Sequence, residues 1–229
     1  SAMPGNGVQV RENQVMGSSG VPGRNSGEVI HALRALLAEK YPQPVAREAG
    51  GFPATLNPGE PPLHFAAGAV TEACGAVGGG TLLMERLLHA AMQARLPAAL
   101  VDGVGSFDPP EKGWFLWVIC RKAEEALRAA DRLLRDGSLP LVILDLQMNP
   151  AAELRRIPST TWYRFQRLVE PSATTLVVVT SRPLVGSAAE RLFLQSHFDI
   201  RALHLPREEL RLEVARVSRQ EGGGRRRIA

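Results

Sequence analysis

The chain has 229 residues, of which 45% are hydrophobic and 22% are charged, and its formal net charge is +4. This composition is that of a globular protein with a sizeable core, and no apolar run reaches the roughly 18 residues of a membrane helix. The chain also opens without a charged-then-apolar signal segment, so we expect a cytoplasmic protein with no membrane contact. The positive excess is too modest to predict nucleic-acid binding by itself.

Composition divides the chain into four segments. Residues 1–27 are rich in Gly, Ser, Asn and Pro and poor in apolar side chains, which predicts a flexible leader. Residues 28–49 hold an amphipathic helix over 28–41 and a linker. Residues 50–218 form the predicted core, and residues 219–229 a flexible basic tail.

Within the core, short apolar runs alternate with helical periods, a pattern typical of parallel strand–helix units. Predicted strands cover residues 69–74, 98–104, 114–120, 140–146, 174–180, 200–205 and 209–218. Predicted helices cover residues 81–96, 121–135, 160–169 and 186–197, with Thr160 as the cap of the third and Gly137 as the stop of the second. These elements predict an α/β fold with a mainly parallel central sheet, an N-terminal helix and antiparallel C-terminal strands.

The segment TEACGAVGGGTLLM joins the first of these strands to its helix. Gly75 and Gly80 have the spacing of the phosphate-binding motif G-x-x-x-x-G-K-[ST], whose amides cradle phosphate, whose Lys neutralises charge and whose hydroxyl holds Mg²⁺. Thr81 stands in place of the Lys and Leu82 in place of the hydroxyl. A tight strand-to-helix turn that needs positive φ explains the glycines equally well.

Two aspartates lie near the carboxyl ends of predicted strands. Asp145 closes the apolar run PLVILD, where such a residue orients Mg²⁺ or its waters beside a phosphate loop. Asp102 has two interpretations that stay open: it orders water or a metal near the loop, or it caps the turn that follows.

The order of these motifs resembles the core of RecA over about residues 50–218. In RecA a TG-x-x-x-LD element precedes a G-x-[IV]-x-E strand, the phosphate loop, its helix and a strand ending D-x-E-x-x-x-DP. The matching positions here are Gly68-Ala69-Val70-Thr71-Glu72 before the loop, Asp102 and Asp108-Pro109 in the later motif, Asp145 as the second nucleotide-site aspartate, and Arg182 ahead of a DNA-contacting loop. The resemblance implies a RecA-like P-loop ATPase core.

Three departures from RecA concern the same chemistry. Besides Thr81 and Leu82, Val104 falls where the D-x-E motif carries the glutamate that activates water. Together they predict a protein that is not an enzyme, with no cofactor beyond weak binding of ATP and Mg²⁺. A RecA-like core with such a site resembles the ImuA accessory proteins of mutagenic translesion synthesis, and more distantly the SulA-type division inhibitors.

The ImuA resemblance implies two partners, a RecA-type recombinase and an ImuB-type polymerase homologue, and we expect a monomer in isolation. Two alternatives stay open. The amides of Gly78, Gly79 and Gly80 at a helix N-terminus would hold phosphate in a nucleotide-binding regulator. A single-stranded-DNA-binding module would use Arg164, Arg167, Arg182, Arg225, Arg226 and Arg227, with Trp162, Tyr163 and Phe165 stacking on bases.

Overall fold

The computed structural model describes residues 9–12, 54–56, 63–75, 77–108, 115–195, 205 and 209–219. The predicted helix at 28–41, almost all of the predicted strand at 200–205 and residues 220–229 of the predicted tail lie outside this range. The described strands are β1 (Gln9–Glu12), β2 (Ala54–Leu56), β3 (Leu63–Phe65), β4 (Val70–Gly75), β5 (Ala98–Asp102), β6 (Leu116–Ile119), β7 (Leu141–Asp145), β8 (Thr175–Thr180), β9 (Glu190–Gln195) and β10 (Glu213–Arg219). The described helices are α1 (Val77–Gln93), α2 (Ala123–Asp136), α3 (Ala151–Leu154) and α4 (Ser159–Val169).

Eight strands form one sheet in the order β1-β6-β5-β7-β8-β4-β9-β10, and β2 and β3 form a separate hairpin pair. The six inner strands are all parallel, whereas β1 and β10 pair antiparallel at the two edges. The prediction of an α/β fold with a mainly parallel sheet and antiparallel C-terminal pairing is therefore confirmed.

Helices cover both faces of this sheet, as a parallel sheet requires. Along β7, Ile143 packs into the core beneath α1, whereas Val142 and Leu144 pack into the core beneath α2 and α4. Side chains alternate between the faces of a strand, so Asp145 follows Ile143 onto the α1 side. The same alternation from Leu100 places Asp102 on that side.

Helix α2 ends where the sequence predicts. Gly137 has a φ of 65°, and its amide donates to the carbonyl of Leu133. A left-handed residue closes the helix here, and glycine adopts that conformation without steric cost. Thr160, by contrast, is not a cap: α4 begins at Ser159 after Pro158, and no side chain caps it. Proline already fixes the backbone angle that opens the helix.

The predicted helix at 186–197 is wrong, because residues 190–195 form β9. Leu192 and Leu194 are buried while Arg191 and Phe193 between them are partly exposed, which is the period of a strand. Its pairing with β4 and β10 overrides the helical preference of the Ala, Glu, Arg and Leu residues.

Four residues of the predicted flexible leader, Gln9–Glu12, form β1 on the edge of β6. Strand addition depends on backbone hydrogen bonds, so a segment poor in apolar residues still forms it. Trp117, on the same strand β6, faces the core. It is buried beside Phe115 and Phe107, which pack edge-on against one another. Trp114 lies outside the described residues.

Candidate functional site

Four strand ends that carry the predicted chemistry meet at one edge of the sheet. Because β4, β5, β7 and β8 are parallel, Gly75, Asp102, Asp145 and Thr180 lie at their carboxyl ends, where open α/β sheets bind ligands. Asp102 and Asp145 are register partners on adjacent strands. Asp102, Asp145 and the glycine segment therefore lie at the same edge of the sheet.

The glycine segment does not form an open loop. Helix α1 begins at Val77, directly after β4 ends at Gly75, so Gly78, Gly79, Gly80 and Thr81 lie in its opening turns. This corrects the prediction of a glycine turn followed by a helix at residue 81. A phosphate loop needs its amides arranged around an anion, and here most of the residues that would form it are helical.

Gly75 and Gly80 are glycines because other groups approach them closely. Gly75 has a φ of 153°, and a side chain there would overlap the carbonyl oxygen of Leu194 on β9. A Cβ on Gly80 would lie 2.7 Å from Nε2 of Gln147. Gly75 thus permits close packing of β4 on β9, and Gly80 leaves room for the Gln147 side chain.

Gln147 occupies the space between these two glycines. It follows β7 by two residues, is buried, and donates from Nε2 to the carbonyl oxygen of Gly75 at 3.3 Å. No sequence pattern predicts this contact, because position 147 lies outside every motif and its side chain reaches a strand two places away in the sheet.

The two residues that replace the phosphate-loop Lys and hydroxyl have different surroundings. Leu82 is 4% exposed and belongs to the core beneath α1, with Leu83 and Met84. Where the motif has a hydroxyl, the Leu82 side chain adds buried apolar surface to the core. Thr81 is partly buried and lines a cavity at the end of β7.

Asp102 organises the turn that follows β5. Its Oδ1 accepts hydrogen bonds from the amides of Val104, Gly105 and Ser106 at 3.2, 2.8 and 3.1 Å, and its Oδ2 accepts one from Phe107 at 2.9 Å. Of the two interpretations left open, turn capping is the one that this geometry bears out. Val104, in the place of the water-activating glutamate, contributes its amide to this turn.

Asp145 is 4% exposed, and its Oδ1 accepts a hydrogen bond from the amide of Gln147 at 2.9 Å. Burial raises the pKa of this carboxyl to about 6, the amide of Gln147 opposes the rise, and the neighbouring carboxylate of Asp102 adds to it. The carboxyl therefore titrates close to neutrality, which is common at functional sites.

A second buried carboxylate, Glu72 on β4, lies at the centre of a hydrogen-bond network. Oε1 accepts from the hydroxyl of Thr180 at 3.1 Å and from the amides of Leu184 and Val185 at 2.6 and 3.0 Å. Oε2 accepts from Nε of Arg191 at 2.6 Å. The network joins β4, β8, β9 and the loop from residue 181 to 189. The sequence identified Glu72 by resemblance but missed Arg191, because residue 191 was predicted to be helical.

The residues predicted to contact DNA are not gathered into one site. Arg164 forms an ion pair with Asp131 at 2.9 Å, and Arg182 lies exposed after β8. Arg167 is exposed on α4, and residues 225–227 lie outside the described residues. Trp162 and Phe165 are buried, which leaves Tyr163 as the exposed aromatic of this helix. Stacking of several bases on these rings is therefore not supported.

Other ligand classes find little support in the part of the chain that the structure describes. There, no cluster of three His, Cys, Asp or Glu side chains is placed to hold a metal ion. Burial raises the pKa of the Cys74 thiol to about 11 and that of Cys120 to about 12, so neither is a reactive thiolate at neutral pH. Among the same residues, no helix is both long and apolar enough to cross a bilayer.

Comparison with known proteins adds a distant likeness. No family model and no curated protein matches the chain. Among solved structures, a crystal structure of the RadB recombinase matches with a TM-score of 0.45 and 15% sequence identity, over 59% of this chain and 78% of that one. A likeness this distant leaves the function to be argued from the residues themselves.

Proposed function

We propose that this chain is a RecA-like accessory protein of the DNA damage response that binds other proteins and does not hydrolyse ATP. The observation that carries the proposal is the position of Gln147. Its side chain lies against Gly75 and Gly80, where a phosphate loop would hold its anion. The immediate start of α1 at Val77 removes most of the loop itself.

The surrounding residues support the loss of ATP chemistry. Thr81 brings no positive charge, Leu82 is buried in the core, and Val104 brings no carboxylate. The cavity that remains beside Asp145 measures about 120 Å³. Pockets for drug-sized ligands start at about 300 Å³, so a nucleoside triphosphate does not fit without rearrangement. This size also argues against the nucleotide-binding regulator.

A scaffold that keeps the sheet of an ATPase while losing its site acts through its surfaces. By the resemblance in the sequence, the proposed partners are a RecA-type recombinase and an ImuB-type polymerase homologue, in the cytoplasm, during translesion synthesis. Met148 is 50% exposed at the edge of the sheet, which offers an apolar contact for such a partner.

Steady-state ATP hydrolysis tests the catalytic half of this proposal. Purified protein with ATP and Mg²⁺ is compared with the Asp145→Asn variant, which keeps the size of the side chain and an oxygen that accepts from Gln147. We expect phosphate release at the buffer rate from both proteins. Turnover by the wild-type protein that the substitution abolishes would refute the proposal.

Binding to the two partners tests the other half. The chain is immobilised, and a RecA-type recombinase and an ImuB-type polymerase homologue are passed over it separately by biolayer interferometry. We expect saturable binding to at least one of them. The absence of binding to both, by protein with a cooperative unfolding transition, contradicts the accessory role.

A further inference from the structure

The cavity at the carboxyl end of β7 retains an acidic group after the rest of the nucleotide chemistry has gone. About 120 Å³ in size, it is lined by Thr81, Met84, Ser106, Phe107, Asp145, Gln147 and Met148. It is open to solvent beside Met148, whose side chain is half exposed. The lining combines one carboxylate with polar and apolar walls.

Asp145 has few partners for a carboxylate so deeply buried. Among the described residues, the amide of Gln147 donates a hydrogen bond to it, and none of their ion pairs includes it. Asp102, its neighbour in the sheet, accepts hydrogen bonds from four backbone amides with its two oxygens and brings a second negative charge. Buried carboxylates are normally matched by a cation, and within the part of the chain that the structure describes no cation pairs with this one.

The walls indicate which kind of cation fits. Met84, Phe107 and Met148 offer apolar contact and an aromatic ring, which an alkyl chain carrying a charged end uses better than a hydrated metal ion does. An arginine guanidinium is less strongly hydrated than an ammonium, stacks on aromatic rings and binds carboxylates in a planar fork. Thr81, Ser106 and Gln147 add polar side chains to the lining.

The size of the cavity agrees with one side chain. An apolar cavity of roughly 150 Å³ is known to hold benzene, so about 120 Å³ accommodates the charged end of an arginine with the rest of its chain in the open mouth. A cavity on this scale therefore admits a single residue of a partner and excludes a nucleotide.

We propose that this cavity binds an arginine side chain of a partner protein, with the guanidinium against Asp145 and the methylene chain against Met148. The inference rests on the proposed function, since a site that still held nucleotide would have no room for the arginine. It assigns to the decayed site a role in partner recognition and predicts that the partner presents an exposed arginine next to apolar residues.

Methionine methyl NMR tests the inference on the full-length protein. The chain has methionines at positions 3, 16, 84, 92 and 148, of which Met84 and Met148 line the cavity. N-acetyl-arginine amide is titrated against N-acetyl-citrulline amide, a neutral analogue of similar shape. We expect saturable shifts of Met84 and Met148 with the arginine probe, no shift of Met92, and no response to citrulline.

Two variants test whether the arginine probe binds through the charge of Asp145. Asp145→Asn should weaken the arginine probe by about tenfold or more, because it removes the buried anion that pairs with the guanidinium. Glu124→Gln, on the exposed face of α2, should leave the affinity unchanged. The unshifted Met92 signal verifies that each variant is folded.

Other results overturn the inference in distinguishable ways. Equal responses to arginine and citrulline, or no response to either, would contradict it and leave the proposed function standing. Saturation of the same methyl signals by MgCl₂ alone would identify a metal site instead. Saturation by ATP with Mg²⁺ would refute the proposed function as well.

Discussion

Glu72 on β4 and Asp145 at the end of β7 are both buried carboxylates of one sheet, but they differ in how many groups pair with them. Glu72 is fully buried and accepts hydrogen bonds from a hydroxyl, two amides and a guanidinium. Asp145 accepts one from a backbone amide and otherwise lines a cavity. Burial raises the pKa of Asp145 to about 6.

The difference distinguishes a carboxylate whose charge is compensated within the fold from one whose charge is left largely uncompensated. Burying a charge costs free energy that hydrogen bonds and an opposite charge must offset, and Glu72 receives both. Asp145 receives little, so it lowers the stability of the fold at neutral pH. A destabilising buried charge at the carboxyl ends of parallel strands is typical of a binding site. The Glu72 network, by contrast, stabilises the packing of the strands.

The largest expected effect is that of Glu72→Gln. The substitution removes the anion that pairs with Arg191 and places an NH₂ group where an oxygen accepted hydrogen bonds. We expect the free energy of unfolding to fall by about 3 kcal/mol, the scale of a broken buried ion pair. Urea denaturation measures it, with Glu124→Gln as an exposed control that changes by about 0.5 kcal/mol at most. A loss below about 1 kcal/mol would mean that the Glu72 network does not stabilise the packing of the strands.

Asp102→Asn should have the next largest effect. The turn after β5 depends on both carboxylate oxygens, and asparagine can satisfy the amides on one side only. We expect a loss of about 2 kcal/mol, since hydrogen bonds to a charged group contribute more than neutral ones. Faster hydrogen exchange at the amides of residues 104–107 should accompany it. Unchanged exchange there would place the role of Asp102 outside the turn.

Asp145→Asn should act in the opposite direction. The native carboxyl has a pKa of about 6 against about 3.9 unfolded, so native protein binds the proton more tightly and this group lowers stability as pH rises from 4 to 6. Removing the charge should stabilise the protein by about 2 kcal/mol at pH 7 and by little at pH 4. Urea denaturation at both pH values measures the difference. Destabilisation at pH 7 would place Asp145 in the same structural class as Glu72.

The sequence was sufficient for the parts of the fold that local pattern determines. The buried strand ending at Asp145 and the amphipathic helix closed by Gly137 carry their signals in consecutive residues. It failed at β9, where tertiary pairing overrode local preference, and at β1, whose edge pairing leaves almost no trace in composition.

For the site, the sequence indicated that the Lys, hydroxyl and glutamate of the nucleotide motifs are absent. It did not indicate which side chain occupies the place of the phosphate. Thr81, Leu82 and Val104 are visible as departures from a motif. The contact of Gln147 with Gly75 joins positions 72 residues apart, and no local pattern encodes it. Likewise, a carboxylate on a predicted strand does not reveal whether it meets an arginine, as Glu72 does, or a cavity, as Asp145 does.

Calorimetric titration with ATP and Mg²⁺ measures whether Gln147 and the early start of α1 leave no phosphate site. We predict no binding heat up to about 1 mM nucleotide for the wild-type protein, and the same for Thr81→Lys, because a restored cation does not restore the loop. Saturable binding by the wild-type protein, lost in Asp145→Asn, would contradict the claim and return the site to nucleotide chemistry.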